Sequence, residues 1–217
     1  DTVILVGDPG RVEQVAAYFD SVECRAENRE FVAVTGECFG KRMTVQSTGI
    51  GTDNIDIVVN ELDALANIDF ETRTEKAVCD LEMEQDFVEH TGWSRLLTAP
   101  YFVRCSDRLA ELFADRTVEG MTISAPGFYA PQGRFLRLSP ADPSLNGKIE
   151  SFEYRGRRFT NFEMEGSALA GLSLLLGHDA ATICTVIAQR VALEMDTDYR
   201  PFVDKMIKMS LEKLAGL

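Results

Sequence analysis

Near the start of the chain, Gly7-Asp8-Pro9-Gly10-Arg11 sets two glycines and a guanidinium where a strand-like run meets a helix-like one. Free backbone N–H groups, a helix dipole and an arginine at one point favour a phosphate oxyanion. The same residues also suit an ordinary turn with a surface arginine, and they lack the Gly-Lys-Ser/Thr ending of a P-loop. Gln132 and Arg134 form a second group. Two apart in an extended loop, they face one side and present an amide beside a planar donor fork, a pair able to read a planar heterocycle. Phe128 is either a ring that stacks on a base or sugar or a core aromatic beneath the loop. The third group is Glu163-Met164-Glu165, with two carboxylates between a strand and an apolar helix. An unpaired carboxylate is costly there, so the pair has a hydrogen-bonding duty: accepting from neighbouring ribose hydroxyls, or capping the helix. Arg29, at the entry to a strand, signals nothing alone. His90 and His178 follow neither catalytic nor metal spacing, so no metal centre is expected.

These residues need a frame of alternating strands and helices. Val3 to Val6 is short and β-branched, as in a strand buried on both faces, and Val12, Val15, Ala16 and Phe19 follow at helical spacing. Phe31 to Thr35 and Arg42 to Gln46 predict a hairpin around Phe39-Gly40-Lys41. Thr52 or Asp53 is expected to cap a helix carrying Ile55, Val58, Val59, Leu62 and Leu65. From Asn67 to Glu89 the chain is polar and acidic, and Lys76-Ala77 reads as a join where a strand would ordinarily follow. The pattern resumes with a helix after Ser106, a strand from Thr117 to Ser124, a loop at Ser139 to Pro143, a strand from Phe159 to Glu163 and an interior helix from Glu165 to Leu176 that Gly177 ends. Ala180 to Ala188 is the strongest strand candidate. Phe202 to Leu214 is an amphipathic helix with Phe202, Met206, Met209 and Leu214 inward. One domain over residues 1–217 is expected, a three-layer α/β/α fold whose central mixed, partly barrel-like sheet is flanked by helices.

Composition narrows the partners. With 22 basic and 35 acidic side chains the net charge is −13, which repels a polyanion and argues against nucleic acid. No apolar run approaches a spanning helix, and the chain starts directly on its first strand rather than on a basic leader, so no membrane association is expected. Five scattered cysteines, never in a C-x-x-C pair, predict reduced thiols and a cytoplasmic home.

Four segments, in this order along most of the chain, resemble the nucleoside phosphorylase-I superfamily and within it the uridine phosphorylase branch: VGDPGR at Val6 to Arg11, STGIG at Ser47 to Gly51, FYAPQGR at Phe128 to Arg134 and NFEMEG at Asn161 to Gly166. The resemblance implies a pentosyltransferase of pyrimidine salvage that reversibly converts uridine and phosphate to uracil and α-D-ribose 1-phosphate, without a metal catalyst or a cofactor beyond the co-substrate. It implies that Gly7 and Arg11 hold phosphate, and that Arg29 serves the phosphate site of a neighbouring subunit, making the active unit a homodimer at least. Thr48 would lie close to the substrate. Glu163, Met164 and Glu165 would bind ribose, with Glu165 on the 2′ and 3′ hydroxyls. Phe128, Gln132 and Arg134 would hold the base, and Arg134, Gln132 and Arg11 would carry the catalysis. Glu30, the Ile50 carbonyl and Asn54 fall where some relatives place a monovalent cation at the dimer interface.

The chain also departs from the family pattern. The strand with an Arg-Ile-Gly-Thr-type phosphate loop is missing at Lys76-Ala77, and an N-terminal extension that carries a histidine in some relatives is absent before Asp1. A doubly wound sheet does not lose a central strand cheaply, so further residues are expected at that join; a true deletion would cripple turnover. Purine-cleaving relatives place an acid late in the chain, and Ile187-Ala188-Gln189-Arg190 shows none, although Asp196 and Asp198 lie downstream. The alternatives are a purine nucleoside phosphorylase or nucleosidase of the same fold, or a nucleoside-binding homologue with impaired catalysis.

Overall fold

The computed structural model of the chain describes residues 2–65, 78–137, 139–189, 194, 195 and 197–217. They divide into two compact units, Asp1–Ile50 with Ile183–Leu217, and Gly51–Thr182. The Lys76-Ala77 join lies outside the described residues.

The first unit opens with β1 (Thr2–Val6), α1 (Pro9–Ala16), β2 (Ser21–Asn28), β3 (Phe31–Cys38) and β4 (Lys41–Ser47). The sheet order is β1-β4-β3-β2, with β1 parallel to β4 and the other pairs antiparallel. Phe39 and Gly40, with φ of 50° and 76°, make the expected tight turn. Among the described residues β1 is an edge strand of this sheet; none of its five residues is fully buried and Val3 is 40% exposed, so the expectation of burial on both faces fails. β2 escaped the sequence pattern because all eight of its residues are exposed. Backbone pairing to β3 holds it, with no apolar alternation to read. Gly36 is needed opposite its irregular start, since a Cβ there would lie 2.1 Å from the Ser21 carbonyl oxygen.

Near its end the chain adds the ribbon β8 (Ala188–Gln189) and β9 (Glu194–Met195), then α7 (Arg200–Ala215). The strand expected over Ala180 to Ala188 is thus confined to its last residue and Gln189; β-branched residues cannot build a ladder without a partner, and 181–187 have none among the described residues. In the core, Val12, Val15 and Ala16 of α1 meet Val34, Cys38, Met43 and Val45 of the sheet, closed by Ile207 and Leu211 of α7. The inward stripe of α7 is therefore Val203, Ile207, Leu211 and Leu214, not the expected Phe202, Met206 and Met209; Phe202 is 56% exposed. Both stripes are apolar, so periodicity does not separate them, whereas the 2.7 Å bond from the Tyr18 hydroxyl to Asp204 helps fix the helix rotation.

The second unit comprises α2 (Thr52–Leu65), α3 (Leu81–Thr91), α4 (Asp107–Phe113), β5 (Met121–Ser124), a 3-10 turn at Ala130–Gln132, α5 (Leu145–Ser151), β6 (Glu153–Tyr154), β7 (Arg157–Glu163) and α6 (Gly166–Leu176). Its sheet runs β5-β7-β6, with β5 parallel and β6 antiparallel to β7. Neither Thr52 nor Asp53 occupies the cap of α2: Thr52 is already helical, and the Gly51 carbonyl accepts the Ile55 N–H. The helix α3 lies within the stretch expected to be polar. Met83, Phe87 and Thr91 are buried at one residue per turn among acidic neighbours, with Asp80 capping the start and left-handed Gly92 the end. Phe87 packs edge-on against Phe102, Phe152 and Phe159. His178, after the Gly177 cap of α6, bonds the buried Asp63 of α2 at 2.9 Å. The α/β class with mixed sheets flanked by helices holds, and the described residues form no closed barrel. None of the five cysteines forms a disulfide, and no described helix is long and apolar enough to cross a membrane.

Two glycines test this packing with opposite signs. Gly36→Ala is expected to lower stability by about 1–3 kcal/mol, because the added carbon meets backbone. Gly147→Ala, on the exposed side of α5 with open space around it, is expected to raise stability by roughly 0.5–1 kcal/mol. Urea denaturation followed by circular dichroism reads both.

Candidate active site

In the first unit, Gly7 ends β1 beside the end of β4: the Thr48 N–H donates to the Val6 carbonyl at 2.8 Å, and a Cβ on Gly7 would lie 3.4 Å from the Gly49 oxygen. Asp8 caps α1, accepting the Gly10 N–H at 2.8 Å, and Pro9 needs no partner in the first helical turn. The turn thus uses the Gly10 amide internally, which reduces the set of free N–H groups expected for an anion. Arg11 is exposed, and its guanidinium makes no hydrogen bond or ion pair with a described residue.

Arg29 sits at the tip of the β2–β3 hairpin in the left-handed region, with φ of 56°. Ser47, fully buried at the end of β4, secures that tip: its hydroxyl donates to the Glu30 carbonyl at 2.6 Å and accepts the Val32 N–H at 2.7 Å. Arg29 also makes no side-chain bond to a described residue, so the clamp presents an uncommitted cation. Thr48 is buried with its hydroxyl donating to the Gly49 carbonyl, an arrangement that shapes the loop. Of the cation set, Glu30 and Ile50 belong to this unit and Asn54 to the second.

In the second unit, β5 and β7 pair in parallel with Ser124 opposite Glu163. Both Glu163 oxygens are occupied. Oε1 accepts from the Ser124 hydroxyl, and Oε2 accepts the Glu165 N–H at 2.7 Å and the Gly166 N–H at 2.6 Å. Ser124 Oγ in turn accepts the Ser167 N–H at 2.7 Å. Glu163 thus caps α6: two N–H groups at the start of the helix converge on its carboxylate and a third on Ser124. Glu165 remains half-buried; its Oε1 accepts the Gly51 N–H at 2.7 Å and its Oε2 the Met164 N–H at 3.3 Å. Gly51 has φ of +106°, which a side chain rarely adopts, so a glycine holds this carboxylate. Ser124, Ser167 and Gly51 were not singled out from sequence for this duty; the signal lies in a strand register that the sequence does not show.

The loop after β5 carries the remaining residues. It is not extended: Ala130–Gln132 form a 3-10 turn and Gly133 is left-handed with φ of 72°. The turn still brings Gln132 and Arg134 together, for Arg134 Nη1 donates to Gln132 Oε1 at 2.6 Å and to the Phe128 carbonyl at 2.9 Å. Its guanidinium carbon lies 4.0 Å from the centroid of the Phe128 ring. Phe128 is 51% exposed and so is no core aromatic, while Gln132 is only 3% exposed. Asn146 of α5 donates to the Gln132 carbonyl at 3.3 Å, and a Cβ on Gly133 would lie 2.1 Å from its amide nitrogen. Before α5, the Lys148 ammonium at 2.8 Å and the Ser144 donors hold the Asp142 carboxyl down to about 2, anchoring the helix behind the loop.

The chain is similar to known proteins along most of its length. A family model described as the Phosphorylase superfamily matches residues 1–72. The uridine phosphorylase of Thermococcus kodakarensis is 31% identical over 213 residues, covering 88% of this chain and 74% of that protein. The chain belongs to the nucleoside phosphorylase-I superfamily. Within the superfamily, the crystal structure of a Trypanosoma brucei nucleoside phosphorylase, described as showing uridine phosphorylase activity, superposes with a TM-score of 0.82 at 25% identity, covering 100% of this chain and 93% of that one. A DeoD-type purine nucleoside phosphorylase of Bacillus subtilis is 48% identical, but over only 63 residues, 29% of this chain and 27% of that protein.

Glu163→Ala removes an acceptor from two N–H groups at the start of α6 and is expected to cost about 1–3 kcal/mol of stability, with Ser124→Ala nearer 1 kcal/mol. Thermal unfolding of the two variants and of Glu165→Ala checks this, since Glu165→Ala leaves the cap itself intact.

Proposed function

We propose that this chain is a pentosyltransferase that cleaves uridine with phosphate, giving uracil and α-D-ribose 1-phosphate, and that Phe128, Gln132, Arg134 and Glu165 hold the nucleoside. The observation that carries this reading is the grouping of an amide, a guanidinium and an open aromatic ring in one loop that leaves β5 directly after Ser124, the residue bonded to the Glu163 cap. A ribose diol fits a half-buried carboxylate whose oxygens are oriented by the Gly51 and Met164 N–H groups, since each carboxylate oxygen has more than one acceptor site for hydroxyl donors. A pyrimidine fits the loop, stacking on Phe128 and exchanging hydrogen bonds with Gln132.

In the reaction a phosphate oxygen supplies the electron pair of the new bond at C1′ while the C1′–N1 pair departs with uracil. C1′ gains oxocarbenium character as these bonds exchange. Negative charge develops on the leaving base, and the Arg134 guanidinium is already immobilised beside the base-reading amide, so it stabilises that charge without reorganising. Arg11 and Gly7 of the first unit are the phosphate-binding residues in this reading. The exposed Arg29 tip is suited to reach the site of a second copy, which makes the active form a homo-oligomer. Five scattered cysteines with no C-x-x-C pair suit a reducing cytoplasm, and uridine cleavage suits a role in pyrimidine salvage. Purine nucleoside cleavage is the second reading, favoured by the local likeness to the Bacillus enzyme.

The deciding measurement uses purified protein of confirmed intact mass with uridine or inosine, with and without phosphate. Phosphate-dependent release of uracil is expected; preference for inosine, or equal turnover without phosphate, contradicts the proposal. Arg134→Ala is expected to lower kcat about 100-fold or more, and Glu165→Ala to raise the uridine KM as well as slow turnover. Unchanged kinetics in both variants would refute the assignment.

A further inference from the structure

Helices α2 and α6 of the second unit pack side by side, and a polar contact joins them at each end. At one end the Gly51 N–H, just before α2, donates to Glu165 Oε1 at 2.7 Å, just before α6. At the other end Asp63, in the last turn of α2, meets Nε2 of His178, just past α6, at 2.9 Å. The partners lie 114 residues apart in the first contact and 115 in the second, so the two helices run parallel and almost in step. A rise of about 1.5 Å per residue sets the contacts roughly 18 Å apart along α2.

Between these contacts the buried positions are Ile55, Val58 and Val59 on α2 and Gly166, Ala170 and Ser173 on α6. Apolar burial is non-directional, and the buried α6 residues are too small to interlock, so packing sets the axial position of one helix on the other only weakly. A hydrogen bond is directional. Asp63 is 2% exposed, too deep for water to solvate its carboxylate, so sliding away from His178 would strip a buried charge of its donor. An ionised carboxylate only accepts, which places the proton on His178 Nε2. His178 is in turn fixed to α6: its backbone N–H donates to the Ser173 carbonyl at 2.7 Å, behind the left-handed Gly177.

We propose that Asp63 and His178 are positioning residues for the sugar: their contact sets the register of α2 against α6, and with it the place of the Gly51 N–H that orients the Glu165 carboxylate. The inference rests on the reading of Glu165 as the ribose-binding residue. Loosening the far contact is therefore felt by the ribose hydroxyls and not by the base.

The test is the dissociation constant of uridine and of 2′,3′-dideoxyuridine, which keeps the base and lacks both hydroxyls, by calorimetry in phosphate-free buffer. Wild-type protein is expected to prefer uridine by roughly tenfold or more, and Glu165→Ala to abolish the preference. His178→Ala and Asp63→Ala are each expected to shrink it about fivefold or more while dideoxyuridine affinity stays within about twofold. His178→Gln, which can carry a donor near the place of Nε2, is expected to restore most of it. Equal weakening of both ligands in His178→Ala and Asp63→Ala marks a merely structural contact and overturns the proposal, as does a full preference in both variants. If a melting scan shows His178→Ala to be unfolded, Asp63→Ala decides, since it leaves no buried charge and a His178 side chain that is 33% exposed to water. A preference that survives Glu165→Ala overturns the ribose reading itself and the inference with it, a result distinct from an unchanged preference in the Asp63 and His178 variants.

Discussion

The carboxylate of Glu163 lies at the centre of the second unit's site because an α-helix begins with N–H groups that have no partner within the helix. At the start of α6 those groups belong to Glu165, Gly166 and Ser167, and a strand-end carboxylate with its cross-strand serine takes up all three. Once they are satisfied, the chain direction at Met164-Glu165 is fixed. Glu165 then accepts the Gly51 N–H at 2.7 Å and the Met164 N–H at 3.3 Å. A cap usually read as a stability device thus orients the residue proposed to hold the sugar.

The base loop follows the same logic with different groups. A buried amide oxygen needs a donor, and Arg134 supplies one from within the same turn, at the cost of tying down its own guanidinium. The turn exists because Gly133 adopts a left-handed conformation against Asn146, and α5, which carries Asn146, is anchored at Asp142. Rigid polar readers are what specificity between similar bases requires, since a mobile amide satisfies either pattern. In the first unit the corresponding devices are Asp8 at the start of α1 and Ser47 beneath the Arg29 tip. Each holds backbone in place beside an arginine that makes no side-chain bond to a described residue.

Much of the frame was legible because local signals were strong. Pro9 suited the first turn of α1, Gly177 ended α6, and Phe39-Gly40 turned the β3–β4 hairpin, each through a local conformational preference. The signal failed where shape depends on a distant partner. β2 has no apolar face, so nothing in its own residues marks it as a strand. The Ala180 to Ile187 run has every mark of one and pairs with no described strand. In α7 two apolar stripes compete, and the valines of β3 and β4 select Ile207 and Leu211.

The sequence by itself determined the α/β class, the order of the four family segments and the residue types of the site, because these follow from composition, spacing and turn preferences that act over a few residues. Tertiary structure alone decided which oxygen of which carboxylate is committed, that Gln132 is buried while Phe128 is open, and that Ser124, Gly51 and Asn146 support the site. Those facts depend on strand register and on hydrogen-bond geometry between segments 14 to 114 residues apart. No local preference encodes such distances.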